Sequence, residues 1–132
     1  MVNWAKSYTY GKTQEAKILP LLRSYFGREI TPTVGRYAKY DYCDDEFNYE
    51  VKSRTNTMRA YPTTMITKNK TQGSEKPVIL IFNFKDCISY IKYDEEKFKD
   101  YNVEEFSRAG IKADEKPHLF IPIDHLSVIE GY

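Results

Sequence analysis

The side chains of this 132-residue chain that are best suited to chemistry are two carboxylates and a lysine close together in the sequence. They belong to Asp41, Glu50 and Lys52. Mg²⁺ and Mn²⁺ usually bind through one or two carboxylates together with water and a substrate phosphate. A lysine beside such a site can orient or deprotonate an attacking water, or stabilise charge on the attacked phosphate. The three residues together indicate metal-assisted hydrolysis.

Strand periodicity is expected to put two of these side chains on one face. The sequence predicts a strand over Phe47–Arg54. Because alternate side chains of a strand share a face, Glu50 and Lys52 should point the same way, roughly 7 Å apart. The competing interpretation is an ordinary exposed strand in which an acid and a base alternate, since the pattern is a loose one.

A hairpin turn is expected to bring the aspartate to the same face. The acidic stretch at residues 43–46 is typical of a tight turn. If Asp44 and Asp45 are its two central residues, Asp41 pairs with Asn48 across the hairpin and lies diagonal to the glutamate. A slip of one residue in this register would turn the aspartate to the opposite face and separate the two carboxylates.

A third acidic residue is predicted to face the same region. A helix is expected over Lys12–Phe26 from apolar residues at helical spacing, which include Ile18 and Leu22. Glu15 falls on the same stripe. A carboxylate aimed at the edge of the core is costly unless it meets a partner, and a metal ion or a lysine would be one. Glu15 is therefore a candidate member of the site.

Residues that follow the predicted strand are suited to holding phosphate groups. Small hydroxyls and a guanidinium come directly after Lys52, and hydroxyls recur where a second helix is expected to begin, a place whose amides favour anions. Taken singly, each basic residue here is more often a solvated surface charge than a ligand contact. The candidates for nucleic-acid binding are Arg54, Arg59, Thr63, Thr64, Lys68 and Lys70.

The near-neutral total charge hides blocks of opposite sign. The net charge is only +1, but residues 1–40 carry seven basic and two acidic groups, and residues 51–76 carry six basic groups and one acidic group. Between them, residues 41–50 carry five acidic groups and no basic one. Basic stretches around a focus of carboxylates suit a polyanion held near a metal ion, although solvated surface charges also cluster in this way.

Length and composition limit the class of protein. Hydrophobic residues make up 41% of the chain and charged residues 30%, which is typical of one globular domain over residues 1–132. The longest apolar run, Val78–Phe82, is too short to span a membrane, and the N-terminus lacks the pattern of a secretory signal. Two cysteines make neither a disulfide framework nor a zinc site. The sequence predicts a cytoplasmic protein of a bacterial, phage or virus-infected cell.

The predicted elements describe an α/β fold in which helices flank a mixed sheet. The segment Asp94–Ala109 is compatible with either a short helix or an edge strand. The expected helices cover Lys12–Phe26 and Pro62–Gly73, and the expected strands cover Arg28–Thr31, Arg36–Tyr42, Phe47–Arg54, Val78–Phe84, Cys87–Tyr93 and His118–Ile123.

The sequence has Glu15 in a first predicted helix, then Asp41, and then Glu50-Val51-Lys52 in a hairpin strand. This order resembles the motif of the PD-(D/E)XK nuclease superfamily, and the resemblance covers about residues 8–93. That family has a restriction-endonuclease-like αβββαβ core and hydrolyses phosphodiester bonds with Mg²⁺. The small size is most similar to that of phage-type endonucleases and Holliday-junction resolvases. In one departure from the motif, Tyr40 stands where a proline precedes the aspartate.

The resemblance implies a role for each of these residues. Asp41 and Glu50 would ligate the metal ion, and the backbone carbonyl of Val51 would complete the site. Lys52 would position the attacking water, and Glu15 would supply an additional acid. The implied function is that of a Mg²⁺-dependent deoxyribonuclease, with Mn²⁺ as a substitute. It is expected to be an endonuclease acting on duplex or branched DNA, and the sequence is compatible with a homodimer.

Two other hypotheses use the same sequence differently. The first is a non-catalytic nucleic-acid-binding module on the same fold, which would hold DNA or RNA with strong salt dependence and without a divalent ion. The second is a partner-binding protein whose acidic segment Asp94–Glu105 is the contact surface. Cleavage of DNA distinguishes the nuclease from both.

Overall fold

A computed structural model describes residues 16–35, 38–106 and 116–131, which form two sheets, two α-helices and three short 3₁₀ helices. None of the helices in these ranges is long and apolar enough to cross a membrane. The helices are α1 at residues 16–26 and α2 at Glu95–Phe98, and the strands are β1 Thr31–Pro32, β2 Tyr42–Cys43, β3 Asn48–Ser53, β4 Thr63–Thr67, β5 Val78–Asn83, β6 Cys87–Lys92, β7 Asn102–Phe106, β8 Lys116–Pro122 and β9 Ser127–Gly131.

The larger sheet is mixed and has its parallel pair at the centre. Its strands follow the order β1-β2-β3-β5-β6-β9, in which β3 and β5 run parallel and the other described pairs are antiparallel. The smaller sheet is antiparallel, in the order β4-β8-β7. The predicted α/β class with a mixed sheet is thus confirmed.

Strand β5 is central because its sequence is apolar on both faces. Every residue of Val78–Asn83 is buried, as expected of a strand that is covered on both sides. Two hydrophobic clusters provide that cover, one shared with α1 and the other with the smaller sheet. The first cluster includes Ile18, Leu22, Tyr49, Val51 and Ile81, and the second includes Ile66, Leu80, Phe82, Leu119 and Ile121.

The alternation of side chains along β3 decides on which face of the sheet Glu50 and Lys52 lie. Tyr49 and Val51 are buried in the cluster that contains the α1 residues. Glu50 and Lys52 alternate with them, so their side chains project from the opposite face, towards the smaller sheet. The predicted shared face of these two residues is therefore present, and it is covered by the segment that follows β3.

The first predicted helix ends where expected. Helix α1 runs to residue 26, and Gly27 follows with φ 63°, the left-handed conformation that favours glycine at a helix end. The Gly27 N–H donates to the Arg23 carbonyl over 2.9 Å and so closes the last turn. Residues 12–15 of the predicted helix lie outside the described residues.

The second predicted helix is wrong. Residues 62–73 contain strand β4 and a 3₁₀ turn at Lys68–Thr71. Thr64 and Ile66 are buried while their neighbours are partly exposed, which is a period of two, and β-branched side chains favour that extended backbone. Pro62 precedes a strand and not a helix, so the anion-binding helix N-terminus expected at Thr63 and Thr64 does not exist.

Other boundaries differ from the predicted ones because several strands are short or consist mostly of exposed residues with little hydrophobic pattern. The expected strands Arg28–Thr31 and Arg36–Tyr42 are reduced to the two-residue strands β1 and β2, with residues 36–37 outside the described ranges. The segment Asp94–Ala109 contains both alternatives, α2 and then β7. Strand β9 was not predicted; it pairs with β6 through mostly exposed residues that carry little hydrophobic pattern.

Candidate active site

The hairpin of β2 and β3 has a different register from the predicted one. Cys43 lies opposite Asn48, where the hairpin predicted from the sequence has Asp41. The pairing is displaced by two residues, and a displacement of two preserves the face on which each side chain lies. The aspartate is therefore not moved to the far side of the strand, although its expected partner is wrong.

The register is set by Asp44, which lies before the turn and not at its centre. Its N–H donates to the Phe47 carbonyl over 3.0 Å, so the central residues follow it. Its carboxylate accepts hydrogen bonds from the backbone amides of Glu46 and Phe47, each at 2.7 Å. The same carboxylate accepts from Arg28 Nε and from the Tyr49 hydroxyl, each at 2.6 Å. Four donors thus hold this turn one residue later than predicted.

Asp44 is buried and ionised. Burial alone would raise the pKa of this carboxyl, but the hydrogen bonds from Arg28, Tyr49 and the turn amides outweigh it and hold the pKa well below its usual range. The pKa values of its two side-chain partners are raised. The hydrogen bond to Asp44 raises the pKa of Arg28, whereas burial, followed by the hydrogen bond to Asp44, raises the pKa of Tyr49. This carboxylate is a structural anchor of the hairpin.

Asp41 is fixed against the middle of β3. Its Oδ2 accepts a hydrogen bond from the Val51 backbone N–H over 2.8 Å. In a strand the N–H and the C=O of one residue point to the same side, so the Val51 carbonyl shares this edge with Asp41. The second carboxylate oxygen, Oδ1, takes no part in that bond.

Glu50 is buried, with 3% of its side chain exposed, and its two oxygens have different surroundings. Oε2 lies 3.2 Å from Lys52 Nζ and 3.4 Å from Lys70 Nζ. Oε1 is buried and has no hydrogen-bond partner among the described residues. Burial raises the pKa of Glu50 and the charge of Asp41 raises it further, while the two lysines partly offset the effect. Oε1 is therefore the atom of this cluster that lacks a hydrogen-bond donor among the described residues.

Lys70 belongs to this cluster, although the sequence suggested only nucleic-acid binding for it. It lies in the 3₁₀ turn after β4, where its ammonium also donates to the Lys39 carbonyl. Its own carbonyl accepts from the Tyr40 hydroxyl over 2.8 Å. No local pattern could have found this contact with Glu50, because it depends on how the segment between β3 and β5 folds back.

The remaining predicted residues do not join the carboxylates. Arg54, Thr63 and Thr64 line a neighbouring cavity. Arg59 forms an exposed ion pair with Asp124 over 3.0 Å. Lys68 lines a separate cavity together with residues of α2 and β8, which include Phe98 and Leu119. Glu15 lies outside the described residues. Within the described ranges, no group of three or more His, Cys, Asp or Glu side chains is arranged to hold a metal ion.

Comparison with known proteins adds no relative: no family model matches the chain, and no curated protein or solved structure is significantly similar to it. Asp41 and the Val51 backbone lie at one edge of β3, and Glu50 with the ammonium groups of Lys52 and Lys70 lies on the adjoining face, close enough for the charge of Asp41 to act on Glu50. Such a set can bind a hard cation and an anionic substrate side by side.

Proposed function

We propose that this protein is a divalent-metal-dependent nuclease that hydrolyses phosphodiester bonds of DNA, and that it acts as an endonuclease. The observation that carries the proposal is the buried Glu50 carboxylate, whose Oε1 has no hydrogen-bond partner among the described residues. A buried and incompletely bonded carboxylate beside Asp41 is unfavourable for the protein alone. A cation would remove both penalties, because it would bond Oε1 and neutralise the repulsion between the two acids.

The residues at the site fit Mg²⁺, with Mn²⁺ as a substitute. Asp41 and Glu50 would hold the ion with carboxylate oxygens and Val51 with its carbonyl, and all three are the hard ligands that these ions prefer. When bound, the ion would polarise the phosphodiester and offset the charge that develops on it. The orphaned Oε1 supports this fit independently of any sequence motif.

Lys52 would handle the attacking water. Its side chain is 39% exposed, and its ammonium contacts Glu50 at the point where solvent meets the buried carboxylate. From there Lys52 can orient a water molecule towards a bound phosphodiester, or stabilise the negative charge of the transition state. Lys70 is less exposed and is held by a backbone carbonyl, so we assign it the role of fixing Glu50.

The arrangement of elements supports the restriction-endonuclease-like fold in outline. In that fold an acid and a Glu-x-Lys pair lie on a β-hairpin next to a helix. Here β2 and β3 form the hairpin, and α1 packs on the same sheet. One difference is that the connection from β3 to β5 contains strand β4, where the αβββαβ order has a helix.

A non-catalytic nucleic-acid-binding module is the second candidate, and one observation favours it. Lys52 and Lys70 both lie within 3.4 Å of Glu50 Oε2, so the carboxylate is already partly neutralised without a metal ion. Such a protein would bind DNA or RNA with strong salt dependence and yield no product. The unbonded Oε1 weighs against this candidate, because two ammonium groups leave it without a partner.

Replacing Lys52 with alanine tests the nuclease directly. We expect the parent protein to cut duplex or branched DNA in Mg²⁺ or Mn²⁺ and not in EDTA, and Lys52→Ala to lower the rate by about 10²- to 10⁴-fold. The measurement is a gel assay with circular dichroism to check the fold. The matched control is Lys99→Ala, which removes an exposed lysine directly after α2 and should cut at the parent rate. Equal cleavage by parent and Lys52→Ala would overturn the assignment.

A further inference from the structure

A cavity of about 390 Å³ lies beyond the Lys52 end of β3, beside the smaller sheet. The residues after β3 supply Arg54 and Asn56, and Tyr61 before β4 and Thr63 at its start also line it. Phe120 of β8 lines it as well. A volume of this order is at the lower end of those that hold small ligands, which suits one small polar molecule or one unit of a polymer.

Arg54 continues the line of functional side chains. It follows Glu50 and Lys52 at the same two-residue spacing, so it projects from the same face about 7 Å beyond the lysine. Its backbone N–H remains in register with β5, where it donates to the Asn83 carbonyl over 2.8 Å. The cavity is therefore adjacent to the candidate active site along one strand.

The charge of Arg54 has no anionic partner among the described residues. Its guanidinium Nη2 donates to the Met65 carbonyl, and its carbon lies 5.8 Å from the centre of the Phe82 ring. Burial lowers the pKa of this group, which means that its environment disfavours the charge. A partly buried guanidinium with no carboxylate beside it is suited to a phosphate, which it can bind through two N–H groups at once.

The rest of the lining is neutral, with aromatic and polar groups. Tyr61 is 62% exposed, which leaves a large ring face open at the cavity. Phe120 adds a second ring, and Asn56 and Thr63 offer an amide and a hydroxyl. An aromatic face binds any nucleobase by stacking, and amide and hydroxyl groups can bond the edge of the base or the sugar. A phosphate and a base together define a nucleotide.

We infer that this cavity binds one nucleotide of the substrate strand next to the scissile phosphate, with a phosphate on Arg54 and the base against Tyr61. The position beside the scissile bond rests on the proposed function. A base that is paired and stacked in a duplex cannot enter such a cavity, so the nucleotide must be unpaired. The inference therefore selects branched, flapped or single-stranded DNA as the substrate class over continuous duplex.

Binding without cleavage tests the cavity separately from the nuclease. A short fluorescent thymidine oligonucleotide and a duplex of the same length are titrated in EDTA, and anisotropy is recorded. Because base stacking on an aromatic side chain contributes strongly to single-strand binding, Tyr61→Ala should weaken binding of the single strand by about tenfold. Its effect on the duplex should stay within about twofold. Tyr25→Ala, at another tyrosine with 48% exposure, is the matched control and should leave both affinities unchanged.

A second variant keeps the result interpretable if the first alters the fold. Arg54→Lys keeps the charge but loses the paired N–H groups, so it should also weaken single-strand binding, by severalfold. Unchanged binding in both variants, or equal losses for single strand and duplex, would overturn the cavity assignment even if the protein cuts DNA. Selective loss without any cleavage in Mg²⁺ would support the cavity and overturn the nuclease, so the two failures are distinguishable.

Discussion

Replacing Glu50 with glutamine should lower metal-dependent cleavage of DNA by about a thousandfold or more and should also make the folded protein more stable at pH 7. On the proposed function, activity falls because an amide is a poor ligand for Mg²⁺, and the charge stabilisation that the ion would supply amounts to several kcal/mol. The gain in stability follows because Glu50 is a buried acid whose charge is disfavoured by burial and by Asp41. Glutamine has nearly the same shape without that charge.

The pH dependence of this stability gain follows from the direction of the pKa shift. The pKa of Glu50 is raised in the folded protein, so the folded state binds its proton more tightly than the unfolded state does. Stability associated with this group is therefore fully present below the unfolded pKa of about 4.3 and is lost as the pH rises through the folded pKa. The difference between Glu50→Gln and the parent should be large at pH 7 and small near pH 4.

Two measurements check the Glu50 prediction. Urea unfolding at pH 7 and pH 4 gives the free energy of unfolding of parent and variant, and a gel assay gives their cleavage rates. Glu96→Gln, at a side chain that is 81% exposed, is the matched control and should change neither quantity. Cleavage at the parent rate, or a variant that is less stable than the parent at pH 7, would show that Glu50 is a structural ion-pair residue.

Replacing Asp44 with alanine should destabilise the protein by about 3 kcal/mol at pH 7, since it leaves the buried Tyr49 hydroxyl and two turn amides without their acceptor and Arg28 with only exposed acids. The carboxylate of Asp44 is 3% exposed and accepts from Arg28, Tyr49 and two turn amides. Its folded pKa is lowered, so its contribution is present above the unfolded pKa of about 3.9 and is lost as the pH falls through the folded pKa. The difference between parent and variant should therefore shrink in acid.

The neighbouring aspartate supplies the control for this prediction. Asp45 is 86% exposed and touches the same arginine, so Asp45→Ala removes a similar charge without opening a buried site. We expect its effect on the free energy of unfolding to stay below about 0.5 kcal/mol. Thermal and urea unfolding between pH 3 and pH 7 give both values. If Asp44→Ala and Asp45→Ala behave alike, the buried carboxylate does not anchor the hairpin.

The parts of the fold that could be predicted are those in which local pattern and tertiary environment agree. Strand β5 is apolar throughout and buried on both faces, and β3 alternates in a way that follows its two different surroundings. Strand β4 was missed because Pro62 and the threonines after it resemble a helix start, while the partner that makes them a strand, β8, lies more than forty residues away. Pairing with a strand distant in the sequence therefore overrode the local helix propensity of this segment.

The candidate site was predictable to the same extent. The common face of Glu50 and Lys52 follows from a period of two, which any strand obeys. The register of the hairpin was not predictable in detail. The carboxylate of Asp44 accepts hydrogen bonds from the backbone amides of Glu46 and Phe47 and so shifts the turn by one residue, and no sequence pattern indicated these bonds. The contact of Lys70 with Glu50 could not be predicted for another reason. It is created by the connection that leaves β3 and returns at β5, which no local pattern describes.

The parallel pairing of β3 with β5 has a consequence for the order in which the protein assembles. Residues 54–77 separate the two strands, so the chain must close a long loop before the central ladder can form. Contacts of such sequence separation slow folding, and we expect this protein to fold in milliseconds to seconds and not in microseconds. Lys70 lies in the segment between these strands, so its ion pair with Glu50 should form only when this loop closes, late in folding.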